Sequence, residues 1–428
     1  MRRIRRRPPV SGRYDAVVVG GGAAGLLCGG KLAEAGLRTA IVESNARPAR
    51  KLMITGKGRC NVTNRCSNDT FISMVKRNGR FLYSAVNAFS PSDVMAFFEG
   101  LGVPLKVERG NRVFPVSDKA VDIVDALVSF ARGNGAKLIT GRCTSLSIED
   151  GRVRGVVLED GTALSAPAVV IATGGMSYPL TGSTGDGYTL ARQAGHEIVE
   201  PRPSLVPILT AEPFCSAMMG LSLRNVTLTL TDRKKKKPVF QELGEMLFTH
   251  FGVSGPLVLS ASAHIDPKRF ADFTLSIDLK PGLDEGQLDA RLLRDFAQNQ
   301  NKDFGNALGA LLPAKLIPVA VSRSGIPSHT KVNQITKEQR RAFISLLKNF
   351  TLTPVAFRPI EEAIVTSGGV KVSEVKPSME SKLAGGLFFA GEVLDVDAYT
   401  GGFNLQIAFS TGYLAAQSII EAAGENAG

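Results

Sequence analysis

No run of eighteen or more apolar residues occurs in this 428-residue chain, which excludes an ordinary membrane-spanning helix. The start, MRRIRRRPPVSGRYD, has the charge of a secretory leader without the apolar stretch that must follow one. The first apolar run, Val17 to Val19, stops at three glycines, so a cytoplasmic protein is expected. Cysteine is sparse and odd in number: Cys28, Cys60, Cys66, Cys143 and Cys215 form no CxxC pair. That argues for reduced thiols and against a disulfide framework or a zinc ribbon. The four histidines, His196, His250, His264 and His329, show no HExxH or HxxxH spacing, so no metal site is expected.

What is present is basic charge, unevenly placed. The net charge is +12, with five arginines (Arg2, Arg3, Arg5, Arg6, Arg7) in the first nine residues and a second cluster, Asp232-Arg-Lys-Lys-Lys-Lys237. Without these two clusters the chain carries only +3. Such clusters attract polyanions by releasing their counterions, or else are solvated tails that aid solubility. The length asks for two or three domains.

Residues 14 to 45 read as one β-α-β unit. Tyr14-Asp-Ala-Val-Val-Val19 is a buried strand, Ala23 to Ala35 a helix closed by Gly36, and Arg38-Thr-Ala-Ile-Val-Glu43 the next strand. A polar loop covers 46–64, and helices are expected near 91–101 and 119–133. Short strands with turns at Asp150-Gly151 and Asp160-Gly161 fill 137–161, and Ala168-Val-Val-Ile-Ala172 is another buried strand. After Gly195 the texture changes to period-2 alternation at Val226–Thr231 and Phe273–Leu279, the mark of half-buried antiparallel strands. Lys234 to Lys237 would tip a hairpin there. Helices are expected at 286–297, 303–312 and 336–349. Buried-strand texture returns near 354, with Leu387-Phe-Phe-Ala390 and a last helix over 404–423. The expected architecture is therefore α/β, a Rossmann-like three-layer domain over 1–196 and 353–428, split by an inserted β/α domain over 197–352.

Gly20-Gly-Gly-Ala-Ala-Gly25 matches GxGxxG between a strand and a helix, with Glu43 ending the following strand. Gly20 permits the tight turn, Gly22 lets a pyrophosphate approach the backbone, and Gly25 lets helix and strand pack. Glu43 is placed to accept hydrogen bonds from ribose hydroxyls. FAD rather than NAD is favoured by two later segments. Val169-Val-Ile-Ala-Thr-Gly-Gly175 resembles the second dinucleotide strand of flavoproteins, and Gly386-Leu-Phe-Phe-Ala-Gly-Glu392 resembles their third signature. Gly401-Gly402 then opens a helix whose N-terminal amides and dipole suit an anionic reduced ring.

Lys51-Leu-Met-Ile-Thr-Gly-Lys-Gly-Arg-Cys-Asn-Val-Thr-Asn64 resembles the GGGRCNVTN loop of the BaiN-like (YhiN-like) flavoproteins, also called the aminoacetone-oxidase family. Phe248-Thr-His-Phe-Gly-Val-Ser-Gly-Pro256, Val365-Thr-Ser-Gly-Gly-Val370, Met379-Glu-Ser-Lys382, Gly391-Glu-Val-Leu-Asp395 and Thr400-Gly-Gly-Phe-Asn-Leu-Gln406 are similar to further signatures of it. Lys57 and Phe403 stand where that pattern has glycine and tyrosine. The resemblance implies a two-dinucleotide-binding-type FAD domain, an inserted domain over the flavin, and NAD(P)H-linked reduction of an activated C=C bond. Its substrate classes are steroid-like enones and ribosomal RNA uridine, reduced to dihydrouridine. Cofactor contacts are implied for Ala23, Ala24, Lys51, Arg59, Cys60, Asn61, Thr63, Cys143, Ala172, Thr173 and Gly174. On the C-terminal side they are implied for Gly391, Glu392, Asp395, Gly402, Asn404, Gln406 and Ile407.

Cys60 is a candidate proton donor or a packing residue, and His250 a candidate substrate ligand or proton donor or a turn-packing residue. No second complete GxGxxG exists. Gly182-Ser-Thr-Gly-Asp-Gly187 reads as a turn into a helix, so NAD(P)H would approach the flavin without a domain of its own. Three functions follow as alternatives: an RNA-modifying reductase using the basic clusters, a small-molecule enone reductase or amine oxidase, and an FAD-stabilised RNA-binding factor without catalysis.

Overall fold

The computed structural model describes residues 10–425, so the arginines of the first nine positions lie outside the described residues. The chain divides into two compact units: one runs through Ser204 and resumes at Ile360, and the other is Leu205–Pro359.

The first unit is built on a five-stranded sheet. Its parts in chain order are β1 (Ala16–Val19), helix α1 (Ala23–Glu34), β2 (Thr39–Glu43), helix α2 (Ala120–Gly133), β3 (Lys137–Thr140), β4 (Ala168–Ile171), β5 (Leu387–Phe389) and helix α3 (Phe403–Glu425). The spatial order is β5-β4-β1-β2-β3, with every neighbouring pair parallel. Continuous apolar runs such as Ala16-Val-Val-Val19 suit a parallel sheet because both faces are covered. On one face α1 packs against α2 and α3, and on the other the strand Arg152–Leu158 packs on β4. That strand belongs to a mixed sheet ordered Val10–Arg13, Ala163–Ser165, Arg152–Leu158, Cys143–Glu149, in which the first pair is parallel and the other two are antiparallel. The three expected layers are present.

Helix α1 ends as its sequence suggests. Gly36 takes φ 84°, its N–H bonds to Ala33 O, and Leu37 N reaches back to Leu32 O. The 46–64 segment is more ordered than the loop expected there, holding a short helix (Arg50–Ile54) and a two-residue strand (Thr63–Asn64).

The second unit has a seven-stranded antiparallel sheet. Its order is Phe350–Leu352, Phe273–Asp278, Ser222–Asp232, Lys237–Thr249, Gly252–Ser254, Ile208–Thr210, Pro354–Phe357. Val226, Leu228 and Leu230 point into its core, as the alternation requires. Helices Glu285–Ala297 and Lys337–Lys348 open with capping boxes at Asp284 and Thr336. The helix expected over 303–312 shrinks to Phe304–Ala307, and a further helix, Ile317–Ser324, follows. Two prolines mask that helix in the sequence, but Pro318 falls in its first turn, where a missing N–H costs nothing.

The boundaries differ from 197–352 for a structural reason. Ile198–Ser204 forms an antiparallel ribbon with Val365–Val370 and so stays with the first unit. Pro354–Phe357 pairs with Ile208–Thr210 and so belongs to the second.

Phe409 of α3 is fully buried and meets Phe98 edge-on at 5.4 Å between ring centroids. Phe409→Ala should cost about 3–5 kcal/mol, read as a lowered urea midpoint for the transition of the first unit.

Candidate functional site

The turn between β1 and α1 uses each glycine differently. Gly20 holds φ 108°, and a Cβ there would lie 2.5 Å from Ala172 O, so the turn is pressed against the end of β4. A Cβ on Gly25 would come within 1.8 Å of Gly20 O, a contact no side chain survives. At Gly22 a Cβ would meet nothing within 4 Å. The middle of the turn is thus open, as a pyrophosphate lying over the α1 N-terminus requires. Ala23 and Ala24 form the first helical turn behind it. Glu43 reaches over this turn: Oε2 accepts from Gly21 N at 2.8 Å, and Oε1 accepts from the amide N and Nδ2 of Asn45 at 2.8 and 2.7 Å. Gly141 N donates to Glu43 O, which brings the following Arg142-Cys143 to the same edge. Cys143 is buried there, and burial pushes its thiol up to about 12.

Behind the turn, four side chains far apart in sequence converge. Lys51 Nζ donates to Glu392 Oε2 and to Ser177 Oγ, each at 2.6 Å. Glu392 Oε1 accepts from Thr366 N at 2.8 Å and from Ser177 Oγ at 3.2 Å. Lys51 and Glu392 are each about a fifth exposed, so the pair is only partly screened by water. Ser177 and Thr366 are the site residues that the sequence did not single out. Gly391 sits at φ 76° against Ala24, its N–H bonded to Thr411 Oγ1.

The strap before α3 is equally tight. Gly402 has φ 98°, and a Cβ there would stand 2.3 Å from Thr63 O. Asn404 clamps the strap, taking Ala398 N on Oδ1 and donating from Nδ2 to Ala398 O. Gln406 is fully buried, accepting from Thr63 Oγ1 and donating to Phe89 O and Ser410 Oγ. The side chains of Thr63, Asn404 and Gln406 are therefore bonded within the protein, and Ile407 is buried. What this segment presents outward is Gly402 and the first amides of α3.

Other expected contacts sit differently. The guanidinium of Arg59 stacks on Phe114, 4.2 Å from its ring centroid, and binds Glu108 and Asp118. Asp395 is buried and paired with Arg77 Nε at 2.8 Å. Cys60 lies at φ 60° with no exposed surface, and burial pushes its thiol up to about 12 against a weaker opposing bond to Thr55. That is the geometry of the packing alternative; the acid role stays a proposal that needs the loop to open. His250 stands exposed at a turn of the second unit, edge-on to Phe251 at 5.0 Å. Lys234 to Lys237 do form the exposed end of the hairpin Ser222–Asp232/Lys237–Thr249. Lys234 pairs with Asp272 at 3.0 Å and Lys235 approaches Asp232 at 3.9 Å. Lys236 and Lys237 have no carboxylate in reach among the described residues. Gly182–Gly187 opens the helix Asp186–Gln193 and follows no strand.

These residues fit FAD. The open position at Gly22, the carboxylate of Glu43 at the end of β2, and the strap before α3 follow one another along the carboxyl ends of the strands. Two buried polar atoms beside this line, Asn61 Oδ1 and Thr173 Oγ1, have no hydrogen-bond partner in the protein. Thr173 and Gly174 close β4, and Asn61 belongs to the 50–64 segment, where the ring of a flavin would be met.

Comparison with known proteins agrees with this geometry. Residues 14–418 match the HI0933-like protein Rossmann domain. A protein of Escherichia coli (strain K12) named ribosomal RNA dihydrouridine synthase is 31% identical over 413 residues, 96% of this chain and 99% of that one. The 3-dehydro-bile acid delta(4,6)-reductase of Clostridium scindens is 30% identical over 412 residues, 94% of this chain and 98% of its own. Among solved structures, a 3-ketosteroid-delta4-(5alpha)-dehydrogenase from Rhodococcus jostii RHA1 superposes with a TM-score of 0.53 at 16% identity. It covers 96% of this chain and 98% of that one, and it shows the shared fold. No described helix is long and apolar enough to cross a membrane.

Two outcomes are expected from this site. Glu43→Ala should weaken FAD retention by on the order of 1.5–3 kcal/mol, seen as FAD fluorescence released on dilution. The second concerns Asp397, buried two residues beyond Asp395 and accepting from Ser204 and Ser367 Oγ at 2.9 Å each. Burial raises its carboxyl above the ordinary 3.8, against the opposing serine bonds and Arg77 and with a small addition from Asp395. The folded state therefore holds this proton to higher pH than the unfolded chain, and stability falls as pH rises from 3.8 through the raised value. In a series of melts across that pH range, Asp397→Asn should lack this decline.

Proposed function

This chain belongs to the HI0933-like family of FAD-dependent oxidoreductases, and we propose that it reduces uridine in ribosomal RNA to dihydrouridine with NAD(P)H as donor. The observation that carries the cofactor half is the glycine turn: open at Gly22, closed by backbone contact at Gly20 and Gly25, with Glu43 over it. FAD, when bound, supplies a ring that accepts and donates hydride. The roles of the chain follow from what it presents. The α1 amides would hold the pyrophosphate, Glu43 would face a ribose, and the Lys51–Glu392–Ser177 cluster would form the wall beside the ribityl chain. The α3 N-terminus would offer its amides and dipole to the ring, which takes up negative charge on reduction. Saturating the C5–C6 bond consumes one NAD(P)H and one further proton, drawn from solvent or from a protein acid.

The RNA half rests on two supports. One is the near full-length relative named ribosomal RNA dihydrouridine synthase. The other is the exposed hairpin end, where Lys236 and Lys237 are not neutralised by carboxylates. A second reading, a small-molecule enone reductase, draws on the relative named as a bile-acid reductase. That substrate needs no lysines at a hairpin tip.

Mass spectrometry of ribosomal RNA from a strain deleted for this protein should show a lost dihydrouridine, restored by the wild-type chain. An unchanged dihydrouridine content would overturn the RNA reading. In gel-shift titrations, Lys236→Ser with Lys237→Ser should flatten the salt dependence of RNA binding by about 1.4 in log–log slope, two contacts at roughly 0.7 each.

A further inference from the structure

A third group of basic residues, distinct in sequence from the two clusters, stands beside the cofactor strap. Residues 51–119 hold eleven basic and five acidic side chains, a net of +6 that is half the charge of the whole chain. The short strand Thr63–Asn64 pairs antiparallel with Arg112–Pro115, Asn64 opposite Arg112. Arg112–Pro115 in turn pairs with Leu105–Glu108, so Arg109-Gly110-Asn111 is the connecting turn, with φ 77° at Gly110 and 58° at Asn111. Arg65 N donates to Asn111 O at 2.7 Å, and Arg112 Nε donates to Arg109 O at 3.0 Å. Three arginines are thus gathered on one tight turn.

That turn is tied to the strap. Asn64 Nδ2 donates to Gly110 O and to Gly401 O, 3.0 Å each, and the next strap residue, Gly402, lies against Thr63 O. The arginines therefore stand one hydrogen-bonded residue away from the amides that open α3.

Charge balance decides what they can do. The local carboxylates, Glu108 and Asp118, are occupied by Arg59 and Lys106. Arg65, Arg109 and Arg112 are exposed, and among the described residues none is in an ion pair; Arg112, opposite Glu108 in the ladder, feels only that carboxylate's longer-range charge, which Arg59 already binds. Lys57, exposed at φ 61°, adds a fourth such cation: the neighbouring Gly56 faces the Phe114 ring, over which the Arg112 guanidinium also lies, at 5.9 Å. Exposed, unneutralised guanidiniums on a fixed turn suit the repeating phosphates of a nucleic-acid strand. A small enone, even one bearing a single carboxylate as a bile acid does, has no repeating charge to match several of them.

We propose that the Arg109–Arg112 turn with Arg65 is a phosphate clamp, seating the RNA strand that carries the target base beside the cofactor. The clamp rests on the reading of the substrate as RNA. It lies wholly within the cofactor-binding unit and acts independently of Lys236 and Lys237.

The test uses the full-length FAD-loaded protein and two probes, a 12-nucleotide oligouridylate and deproteinised ribosomal RNA, titrated by fluorescence anisotropy over a salt series. R65Q/R109Q/R112Q should bind both about tenfold or more weakly at low salt, with the log–log salt slope reduced by about 2. R65K/R109K/R112K, which keeps the charges, should retain the wild-type slope, and FAD content should be unchanged in both. Should the triple glutamine variant lose FAD, R109Q alone carries the test, with a slope change of about 0.7. Wild-type protein that binds neither probe overturns the RNA reading and the clamp with it. Wild-type binding with an unchanged slope in the glutamine variants overturns the clamp alone and leaves the RNA reading to the hairpin.

Discussion

Backbone touching backbone is the constraint on which this molecule depends. At Gly25 one methyl group would fall 1.8 Å from Gly20 O, at Gly402 2.3 Å from Thr63 O, and at Gly412 2.5 Å from Ala24 O. These three contacts join the first turn to α1, the 50–64 segment to α3, and α3 to α1. Close approach without side chains lets helix N-termini converge on one line, which concentrates unpaired amides where a doubly charged pyrophosphate can use them. The cofactor cradle is thus a product of packing: the helices that bury the core also aim its donors.

The legible parts of the sequence are those whose physics is local. Gly20 to Gly25 and Glu43 are fixed by strand, turn and helix spacing within thirty residues, and the structure brings them together. The alternation Val226 to Leu230 likewise specified an antiparallel strand and a hairpin ending in lysines. The inner side of the site was not legible in the same way. Lys51 meets Glu392 across 341 residues, and Thr63 meets Gln406 across 343. Motif reading named all four residues but treated each as a ligand contact. It could not show that Thr63 and Gln406 bond to one another, because no spacing rule relates such distant positions. The carboxylate partners of Arg59 were hidden for a similar reason: Glu108 and Asp118 lie 49 and 59 residues further along the chain.

Bulk charge misled in a related way. The two conspicuous clusters hide the surplus in residues 51–119, because single arginines scattered through a mixed sequence make no run. Folding turns them into a patch by closing one turn, while pairing engages four of the seven other cations of that stretch, Lys51, Arg59, Arg77 and Lys106. The hairpin cluster shows the opposite correction: half of its lysines find carboxylates, so its effective charge is smaller than its composition suggests.

The point where the first unit is interrupted carries a consequence of its own. The strand leading out, Ile198–Ser204, and the strand leading back, Val365–Val370, are zipped together, with Ser204 opposite Val365. The two ends are held at ladder spacing by their own hydrogen bonds, whatever chain runs between them. The entropy of bringing those ends together is already met by the ribbon, and it changes only slowly with the length of the intervening segment. The interruption therefore acts as a socket. A module with adjacent termini can be lengthened, trimmed or replaced there while the cofactor-binding core keeps its register.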